Sequence, residues 1–289
     1  MHSFALITDS TVDENAGYFV ENDIKYAPLA FTIDGRTIEE DCGQAMPFHQ
    51  FYDLLREGKL SSTAQAKLDT FLKLFREALE AGQDVLYVGF SSGLSGTFHA
   101  GCMARDELAP QFPERKILCV DSLSATGGEY LLVDKAREMR DNGCSAEVTA
   151  AAIEEMRLHV IHLVTVDDLG HLHRGGRLSK TSAVVGGLLG IKPMIWVDNE
   201  GKLSVCGKIR GRQKAIAHLA ERTLREISDK NQVVRISHGD CPEDARQLAA
   251  LLQKGGVRSD IRYVGTVIGS HTGPGVLAVF FFGGERRPN

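Results

Sequence analysis

The sequence has few features of proteins that bind metals, carry out thiol chemistry or coat nucleic acids. Its six cysteines are scattered, none forms a C-x-x-C pair, and no cluster of cysteine and histidine has the spacing of zinc ligands. The net charge of −5 and the pI of about 6.1 argue against a protein that coats nucleic acid, because phosphate binding needs a strongly basic face. We therefore expect no metal, no cofactor and no nucleic-acid partner.

Segments that target or span a membrane are also missing from the sequence. The first residues show no basic stretch followed by a long apolar run, so they do not resemble a signal peptide. The longest late apolar run, residues 276–282, is too short to cross a bilayer. Together with the scattered cysteines, these absences predict a protein of the reducing cytoplasm.

What is present is the composition of an ordinary globular protein. Hydrophobic residues make up 43% and charged residues 25% of the 289 residues, which allows a sizeable core. The length is about twice that of a usual domain, and the pattern of elements changes near residue 160. We therefore predict two domains, which span residues 1–160 and 161–289.

The two halves of the chain predict an α/β protein with two kinds of sheet. In the first half, short apolar runs alternate with helical stretches, which indicates a doubly wound, mostly parallel sheet. In the second half, hairpins mixed with helices indicate a mixed-sheet α+β domain. A short helix is expected at residues 184–189, and Ser145 and Pro242 are expected to begin two other helices. The predicted strands are residues 4–7, 85–90, 117–120, 161–166, 193–197, 203–209, 233–237, 261–268 and 276–282.

A loop rich in glycine and serine, residues 91–97, follows the second predicted strand and leads into a helix. Glycine lets the backbone approach a ligand closely, and the unpaired N–H groups in the first turn of a helix favour an anion. The loop has no lysine, so it is not the G-x-x-x-x-G-K-[ST] phosphate loop. The segment therefore predicts either an anion site or a well-capped helix without a ligand.

The same loop nearly matches the G-x-S-x-G turn of serine hydrolases. Ser95 would be the nucleophile, but Thr97 stands where the pattern has glycine. His271 precedes a Gly-Pro-Gly turn that we expect to be rigid, and it is a candidate base, with Asp9 or Asp121 as the acid. No later acid completes the usual hydrolase order, so a Ser95/His271 acyl hydrolase is kept as the alternative hypothesis.

Two further polar segments are candidate binding elements. Residues 171–177 combine two histidines with two arginines, and paired arginines can bind carboxylate or phosphate oxygens with two hydrogen bonds each. The simpler interpretation is a solvated basic loop. Residues 61–65 lie between predicted helices, where their hydroxyl groups are expected to cap the helix that follows.

Eight short landmarks in a fixed order make the chain resemble the DegV family over essentially its whole length. The landmarks are residues 8–10 (TDS), Thr63 with Gln65, residues 91–97 (SSGLSGT), Asp121 with Ser122, residues 174–178 (RGGRL), residues 191–193 (IKP), residues 208–210 (KIR) and residues 271–275 (HTGPG). The resemblance implies two α/β domains with a fatty acid buried between them. Some members of the family are binding subunits of bacterial fatty-acid kinase, and they present the acid to a separate ATP-using subunit that makes acyl-phosphate.

The resemblance also implies roles for individual residues. The residues expected at the fatty-acid carboxylate are Thr63, Ser95, Gly96, Thr97 and His271. The residues expected to contact the partner subunit or the phosphate are Arg174, Arg177 and Arg210. One departure stands out, because the family often has Thr-Ser-Gln-Pro where this chain has alanine at positions 64 and 66, so that one hydroxyl group is lost.

Most of the affinity for such a ligand would come from its acyl chain. Each buried methylene contributes roughly 0.8 kcal/mol, so an acid of about 16 to 18 carbons gains far more from its chain than from its head group. The apolar residues near the landmark loops are our candidates for the tunnel wall: Phe31, Ile33, Leu188, Leu189, Ile191 and Met194. A regulatory protein that senses lipid would bind the same ligand and is a third hypothesis.

Overall fold

The structure, a computed structural model, describes residues 2–178 and 190–286. The strands in chain order are β1 (Phe4–Asp9), β2 (Ile24–Ala27), β3 (Ala30–Ile33), β4 (Arg36–Glu39), β5 (Ser61–Ala64), β6 (Asp84–Gly89), β7 (Ile117–Asp121), β8 (Val160–Thr165), β9 (Ile191–Val197), β10 (Leu203–Arg210), β11 (Val233–His238), β12 (Arg258–Tyr263) and β13 (Leu277–Phe282). The α-helices are α1 (Ala16–Glu21), α2 (Phe48–Arg56), α3 (Leu68–Glu80), α4 (Thr97–Leu108), α5 (Gly127–Asp141), α6 (Ala146–Met156), α7 (Gly170–Arg174), α8 (Arg212–Glu226), α9 (Pro242–Lys254) and α10 (Thr266–Thr272).

The first sheet is parallel and has the strand order β2-β1-β6-β7. Strands β1 and β6 are buried along nearly their whole length, because helices cover both faces of the sheet. Phe71 of α3 and Ala104 of α4 belong to the core on one face, whereas Leu132 of α5 and Ile153 of α6 belong to the core on the other. This arrangement confirms the doubly wound sheet that the first half of the sequence predicts.

The second sheet is mixed and has the strand order β10-β9-β8-β13-β11-β12. Only β11 and β12 pair in parallel; the pairs from β10 through β13 to β11 are antiparallel. The apolar sides of α8 and α9, with Ile216 and Leu248, pack on one face. The opposite face is turned toward the first half of the chain, where helix α5 packs against β8, β11 and β13. The mixed α+β half is thus confirmed.

Several local expectations from the sequence are also confirmed. Ser145 begins α6, and its side chain accepts a hydrogen bond from the Val148 N–H. Pro242 occupies the first turn of α9, where its missing N–H costs nothing. Strands β9 and β10 form a hairpin whose turn has Gly201 at φ +72°, a value that glycine adopts without a steric penalty.

Two stretches fold differently from the sequence prediction. Residues 61–64 form β5 of a small sheet with the order β4-β3-β5, so they do not cap α3, which begins after Lys67 without a side-chain cap. The predicted strand at residues 261–268 ends at Tyr263, and α10 begins at Thr266. A short apolar run cannot be assigned to strand or helix by its periodicity alone. Here Gly265 separates the two elements, and His271 lies in the last turn of α10 rather than in a loop.

The remaining expectations are placed as follows. The predicted helix at residues 184–189 lies outside the described residues. The division into residues 1–160 and 161–289 stays a prediction, although strand β8 of the second sheet begins at Val160. No helix within residues 2–178 and 190–286 combines the length and apolar character needed to cross a bilayer.

Candidate functional site

A largely apolar cavity of about 280 Å³ lies between the loops of the first sheet and the inner face of the second. Its floor consists of every second residue of β8 and of the strands beside it, because alternate side chains of a strand point to the same face. The floor residues are His162, Val164, Val166, Ile195, Val197, Val276, Ala278 and Phe280. The other apolar lining residues are Leu29, Ala64, Phe90, Leu94, Ala125, Leu172, Leu203, Val264, Val267 and Ile268.

Polar groups gather at one end of the cavity, which we call the mouth. The mouth residues are Thr63, Gln65, Ser95, Gly96, Arg177 and His271. They come from β5, from the loop before α4, from the segment after α7 and from α10. The fold therefore brings four of the five predicted carboxylate-binding residues to one place, although they are far apart in sequence.

Thr63 and His271 are joined directly across the mouth. The Thr63 Oγ1 atom lies 2.8 Å from His271 Nε2, and either group can be the donor. The other ring nitrogen, Nδ1, is buried and has no hydrogen-bond partner among the described residues. Burial and the nearby Arg177 charge lower the pKa of His271 to about 4, so the ring is neutral at physiological pH. A neutral imidazole offers a single donor, whose position depends on the tautomer.

Ser95 and Thr97 form a second polar pair. Their hydroxyl oxygens are 2.9 Å apart, and Ser95 Oγ also accepts a hydrogen bond from the Thr97 N–H at 3.2 Å. Thr97 is fully buried and accepts from the Ala66 N–H, so it holds the β5–α3 connection against the start of α4. Thr97 does not line the cavity. The role of Thr97 at the carboxylate stays a prediction, and its observed contacts are with Ser95 and the Ala66 N–H.

The loop that carries Ser95 is fixed at its base by Asp9. One carboxylate oxygen of Asp9 accepts hydrogen bonds from the Phe90 N–H at 2.9 Å and from the Tyr87 hydroxyl at 3.0 Å. The other accepts from the Thr11 hydroxyl at 2.6 Å. Asp9, which was a candidate acid of a hydrolase, thus serves to tie the end of β1 to the end of β6. This contact sets the position at which the serine loop begins.

Gln65 belongs to the mouth although no role was predicted for it. Its side-chain oxygen lies against Gly96, where the Cβ of any other residue would clash with it. Gly96 is the residue that precedes α4, so Gln65 approaches the positive end of that helix. The sequence indicates that Gln65 is important, because Gln65 is part of a landmark. Its contact with Gly96, however, depends on the tertiary fold.

The three arginines predicted at the partner surface do not share one environment. Arg177 lines the cavity mouth and donates to the Leu94 carbonyl at 3.0 Å and to the Gly175 carbonyl at 2.6 Å. Arg174 is exposed and lies in a separate surface cleft. Arg210 is exposed at the end of β10, outside the lining of either space.

That surface cleft, which we call the outer cleft, has a volume of about 440 Å³ and adjoins the mouth. Thr63, Arg177 and His271 line both spaces. Their side chains therefore form the boundary between the cavity and the outside. The other polar residues of the outer cleft are Thr32, Asp34, Ser61, Ser62, His171, Arg174 and Ser270.

Of the predicted tunnel residues, the four that the structure describes do not line the cavity. Phe31 and Ile33 pack into a separate core with α2, and Ile33 also reaches the outer cleft. Met194 points to the α8 side of the second sheet, whereas the next residue, Ile195, lines the cavity. A shift of one residue along a strand moves a side chain to the opposite face. Ile191 begins β9 away from the cavity lining, and Leu188 and Leu189 lie outside the described residues.

Among the described residues, Ser95 and His271 are not hydrogen-bonded to each other, and the one group of potential metal ligands lies away from the mouth. Ser95 pairs with Thr97 and His271 pairs with Thr63; no hydrogen bond joins Ser95 to His271 in residues 2–178 and 190–286. On the surface, potential metal ligands meet at His49, Asp53 and Asp240. The guanidinium of Arg56 already donates to both of these carboxylates, at 2.8 and 2.6 Å, which disfavours a cation there.

The fold and the site together define an α/β protein with a largely apolar cavity and a cluster of polar groups at its mouth. Comparison with known proteins gives the family. The family model described as an uncharacterised protein of the DegV family matches residues 3–283. The chain belongs to the DegV family.

Similar proteins cover the chain over nearly its whole length. A DegV domain-containing protein of Clostridium perfringens is 39% identical and covers 100% of both chains. A solved DegV family protein of Thermus thermophilus, described as fatty-acid binding, is 27% identical with a TM-score of 0.87 and covers 98% of this chain and 100% of its own. The fatty-acid-binding DegV family protein of Streptococcus agalactiae is 30% identical with a TM-score of 0.84, covering 97% and 98% respectively.

Proposed function

We propose that this protein binds a long-chain fatty acid, with the acyl chain in the cavity and the carboxylate at the mouth. The observation that carries the proposal is a cavity with mostly apolar walls and a cluster of hydrogen-bonding groups at its mouth. A molecule that matches this distribution has a long apolar body and one polar head. The fatty-acid binding described for solved relatives supports the same ligand.

The mouth provides for a carboxylate without placing a fixed charge directly opposite it. A buried carboxylate is costly unless it is hydrogen-bonded. Ser95 and Thr63 offer hydroxyl groups, and the backbone at Gly96 adds the positive end of α4. Arg177 supplies a positive charge nearby while its own N–H groups are held by carbonyl oxygens. The head group is therefore oriented by neutral donors, and the acyl chain supplies most of the affinity.

The position of the mouth fits presentation of the head group to another protein. The boundary residues Thr63, Arg177 and His271 line both the cavity and the outer cleft. We propose that a separate ATP-dependent kinase subunit docks over the outer cleft. A carboxylate oxygen then attacks the terminal phosphoryl group of ATP, ADP leaves, and acyl-phosphate forms. Arg174, Arg177 and Arg210 are the proposed contacts to this subunit or to the phosphoryl group.

The first experiment is mass spectrometry of lipids extracted under denaturing conditions from the purified protein. We expect one fatty acid per chain, of roughly 16 to 18 carbons, because each added methylene increases the buried apolar surface. A protein that is empty and also takes up no added fatty acid would overturn the proposal. Treatment with a serine-directed fluorophosphonate tests the hydrolase alternative in the same sample, and labelling of Ser95 would favour that alternative.

The second experiment concerns the kinase step. Loaded protein is added with ATP to a bacterial extract, and acyl-phosphate is trapped with hydroxylamine as the hydroxamate. We expect Arg210→Ala to retain its bound acid and to form less hydroxamate, because Arg210 is exposed and does not line the cavity. Equal loss of lipid and of hydroxamate would contradict this division of roles. A loaded protein that yields no hydroxamate in any extract would favour a lipid sensor.

A further inference from the structure

The cavity has a direction, which follows strand β8 from the mouth inward. Val166 lies toward the mouth, because the next residue, Asp167, approaches Gly275 in the turn that follows α10 and His271. His162 lies four residues back along the strand. At roughly 3.3 Å per residue, the floor between them is about 13 Å long. An acyl chain that enters at the mouth therefore runs toward His162.

His162 closes the inner end of this floor. The residue is 2% exposed, and its ring meets the ring of Phe280, its partner on β13, edge to face at 5.3 Å. The ring also lies against Gly128 at the start of α5, where any Cβ would clash with it. It is thus held between a strand and a helix, and it has little freedom to turn aside.

Beyond His162 lies a second space, which we call the distal cleft. It has a volume of about 350 Å³, and its residues are Ile161, His162, Leu163, Trp196, Val197, Arg222, Glu226, Gly284, Glu285 and Arg286. Of these, His162 and Val197 also line the cavity. Only these two residues are common to both linings in the part of the chain that the structure describes. The two spaces therefore meet at His162 and Val197, which we call the wall, and Leu163, Arg222 and Glu226 of the distal cleft lie on the α8 side of the second sheet.

The wall is uncharged. Burial and the neighbouring Arg286 charge lower the pKa of His162 well below its usual value, so the imidazole is neutral. Its Nδ1 atom lies 3.2 Å from the Val160 carbonyl oxygen, which assigns the proton to Nδ1. A neutral ring beside Phe280 and Val197 presents a surface on which the end of an apolar chain can rest.

We propose that His162, together with Val197, is the stop that sets the maximum acyl length, and that the distal cleft would receive the tail of a longer acid if the stop were removed. This inference rests on the proposed fatty-acid binding. The stop acts by occupying space, so its effect falls on chain length and not on the head group. Ile161, Leu163 and Trp196 give the distal cleft apolar surface for an emerging tail.

The test is a competition for the delipidated protein among saturated acids from about C12 to C24, which differ stepwise in the methylene surface they bury. Bound acids are extracted and quantified by mass spectrometry. We expect the wild-type protein to exclude acids above one length. In His162→Ala the limit should rise by at least two carbons, with a roughly tenfold gain in the bound ratio of long to short acids. Val197→Ala is the second variant and should shift the limit in the same direction.

Val164→Ala is the matched control, because Val164 lies on the same face of β8 and lines the cavity but not the distal cleft. It should alter affinities and leave the length limit where it is. The inference is overturned if the wild-type protein loads acids and both wall variants keep its limit, or if the control shifts the limit equally. If the wild-type protein takes up no acid of any length, the proposed function fails, and the inference fails with it. If His162→Ala does not fold, Val197→Ala decides the question.

Discussion

Ser95 is the mouth residue whose side chain is best placed to turn toward a ligand. Its Oγ atom already accepts the Thr97 N–H and lies beside the Thr97 hydroxyl, while the serine itself lines the cavity. The side chain of Thr97, in contrast, does not reach the cavity, since Thr97 is fully buried behind the loop. One hydroxyl therefore supports the other, and only that of Ser95 faces the cavity.

Ser95→Ala should weaken fatty-acid binding by about 1–3 kcal/mol, because a buried carboxylate oxygen loses a donor. Isothermal titration of the delipidated protein with palmitate measures the effect. Ser92→Ala is the control, since Ser92 lies in the same loop but does not line the cavity. Equal affinities for the wild type, Ser95→Ala and Ser92→Ala would show that Ser95 does not bind the carboxylate.

His271 should make the stability of the ligand-free protein depend on pH. The folded pKa of His271 is about 4, and an unfolded histidine titrates near pH 6.5, so the unfolded state binds the extra proton between these values. Stability contributed by neutral His271 is therefore present above about pH 6.5 and is lost as the pH falls toward 4.

Replacing His271 by Gln should remove that dependence. We expect the loss of unfolding free energy between about pH 7 and pH 4.5 to be smaller in His271→Gln by roughly 2 kcal/mol, since one pKa unit corresponds to about 1.4 kcal/mol. Urea unfolding at several pH values gives the comparison. His99→Gln, which removes an exposed histidine of α4, should follow the wild type. Parallel profiles for His271→Gln and the wild type would contradict the burial of a neutral ring.

At the scale of elements, the site depends on how short segments meet. Strand β5 supplies Thr63, and the last turn of α10 supplies His271. The end of α7 packs on the imidazole, so that Gly175 touches His271 Nδ1. None of these three elements is longer than seven residues. Their positions are therefore fixed by contacts with each other and with the two sheets, and not by their own stability.

Gly175→Ala tests this packing, because the added Cβ would clash with the rigid His271 ring. Gly175 has an ordinary φ of −72°, so the backbone itself tolerates alanine. We expect a displaced imidazole, a broken Thr63–His271 hydrogen bond and fatty-acid affinity reduced about tenfold, the factor for one lost hydrogen bond of roughly 1.4 kcal/mol. Gly207→Ala, where a Cβ meets only ordinary contacts, is the control. Retained wild-type affinity in Gly175→Ala would show that the ring position does not matter.

The elements that the sequence predicts well are the long, regular ones. Helices α3, α8 and α9 have clear apolar stripes, and the strands of the first sheet are short apolar runs between helices. Strand β5 was missed because its residues, Ser-Ser-Thr-Ala, carry no apolar alternation. Helix α10 was missed because its apolar residues continue those of β12. Gly265 is the single residue in the sequence that signals the end of the strand and the start of the helix.

At the scale of the whole molecule, a buried ion pair links the two halves of the chain. Arg235 of β11 approaches Glu14 at 2.6 Å, and both side chains are at least 96% buried. Arg235 also stacks over the Tyr130 ring of α5 at 3.6 Å. The pair therefore holds the second sheet against the segment that follows β1.

Arg235→Met should destabilise the protein by about 3–5 kcal/mol, because Glu14 is left buried with the half-exposed Arg262 as its remaining cation. The additional change Glu14→Gln should recover part of this loss, since no buried charge then remains unpaired. Urea unfolding midpoints give the comparison, and Arg246→Met at an exposed pair with Glu243 should change little. A single variant as stable as the wild type would mean that the pair does not couple the halves.

The sequence by itself determined the class of fold and most of the polar mouth. Apolar periodicity indicates the long helices and most of the buried strands, and the landmarks of the family resemblance point to Thr63, Ser95, Gly96 and His271. Which residues form the walls of the cavity was decided by tertiary structure alone. Whether Met194 or Ile195 faces the cavity depends on the register of β9 against β8, and a shift of one residue reverses the faces. The contacts of Gln65 and His162, and the distal cleft itself, form between segments that are distant in sequence. No local sequence pattern predicts such contacts.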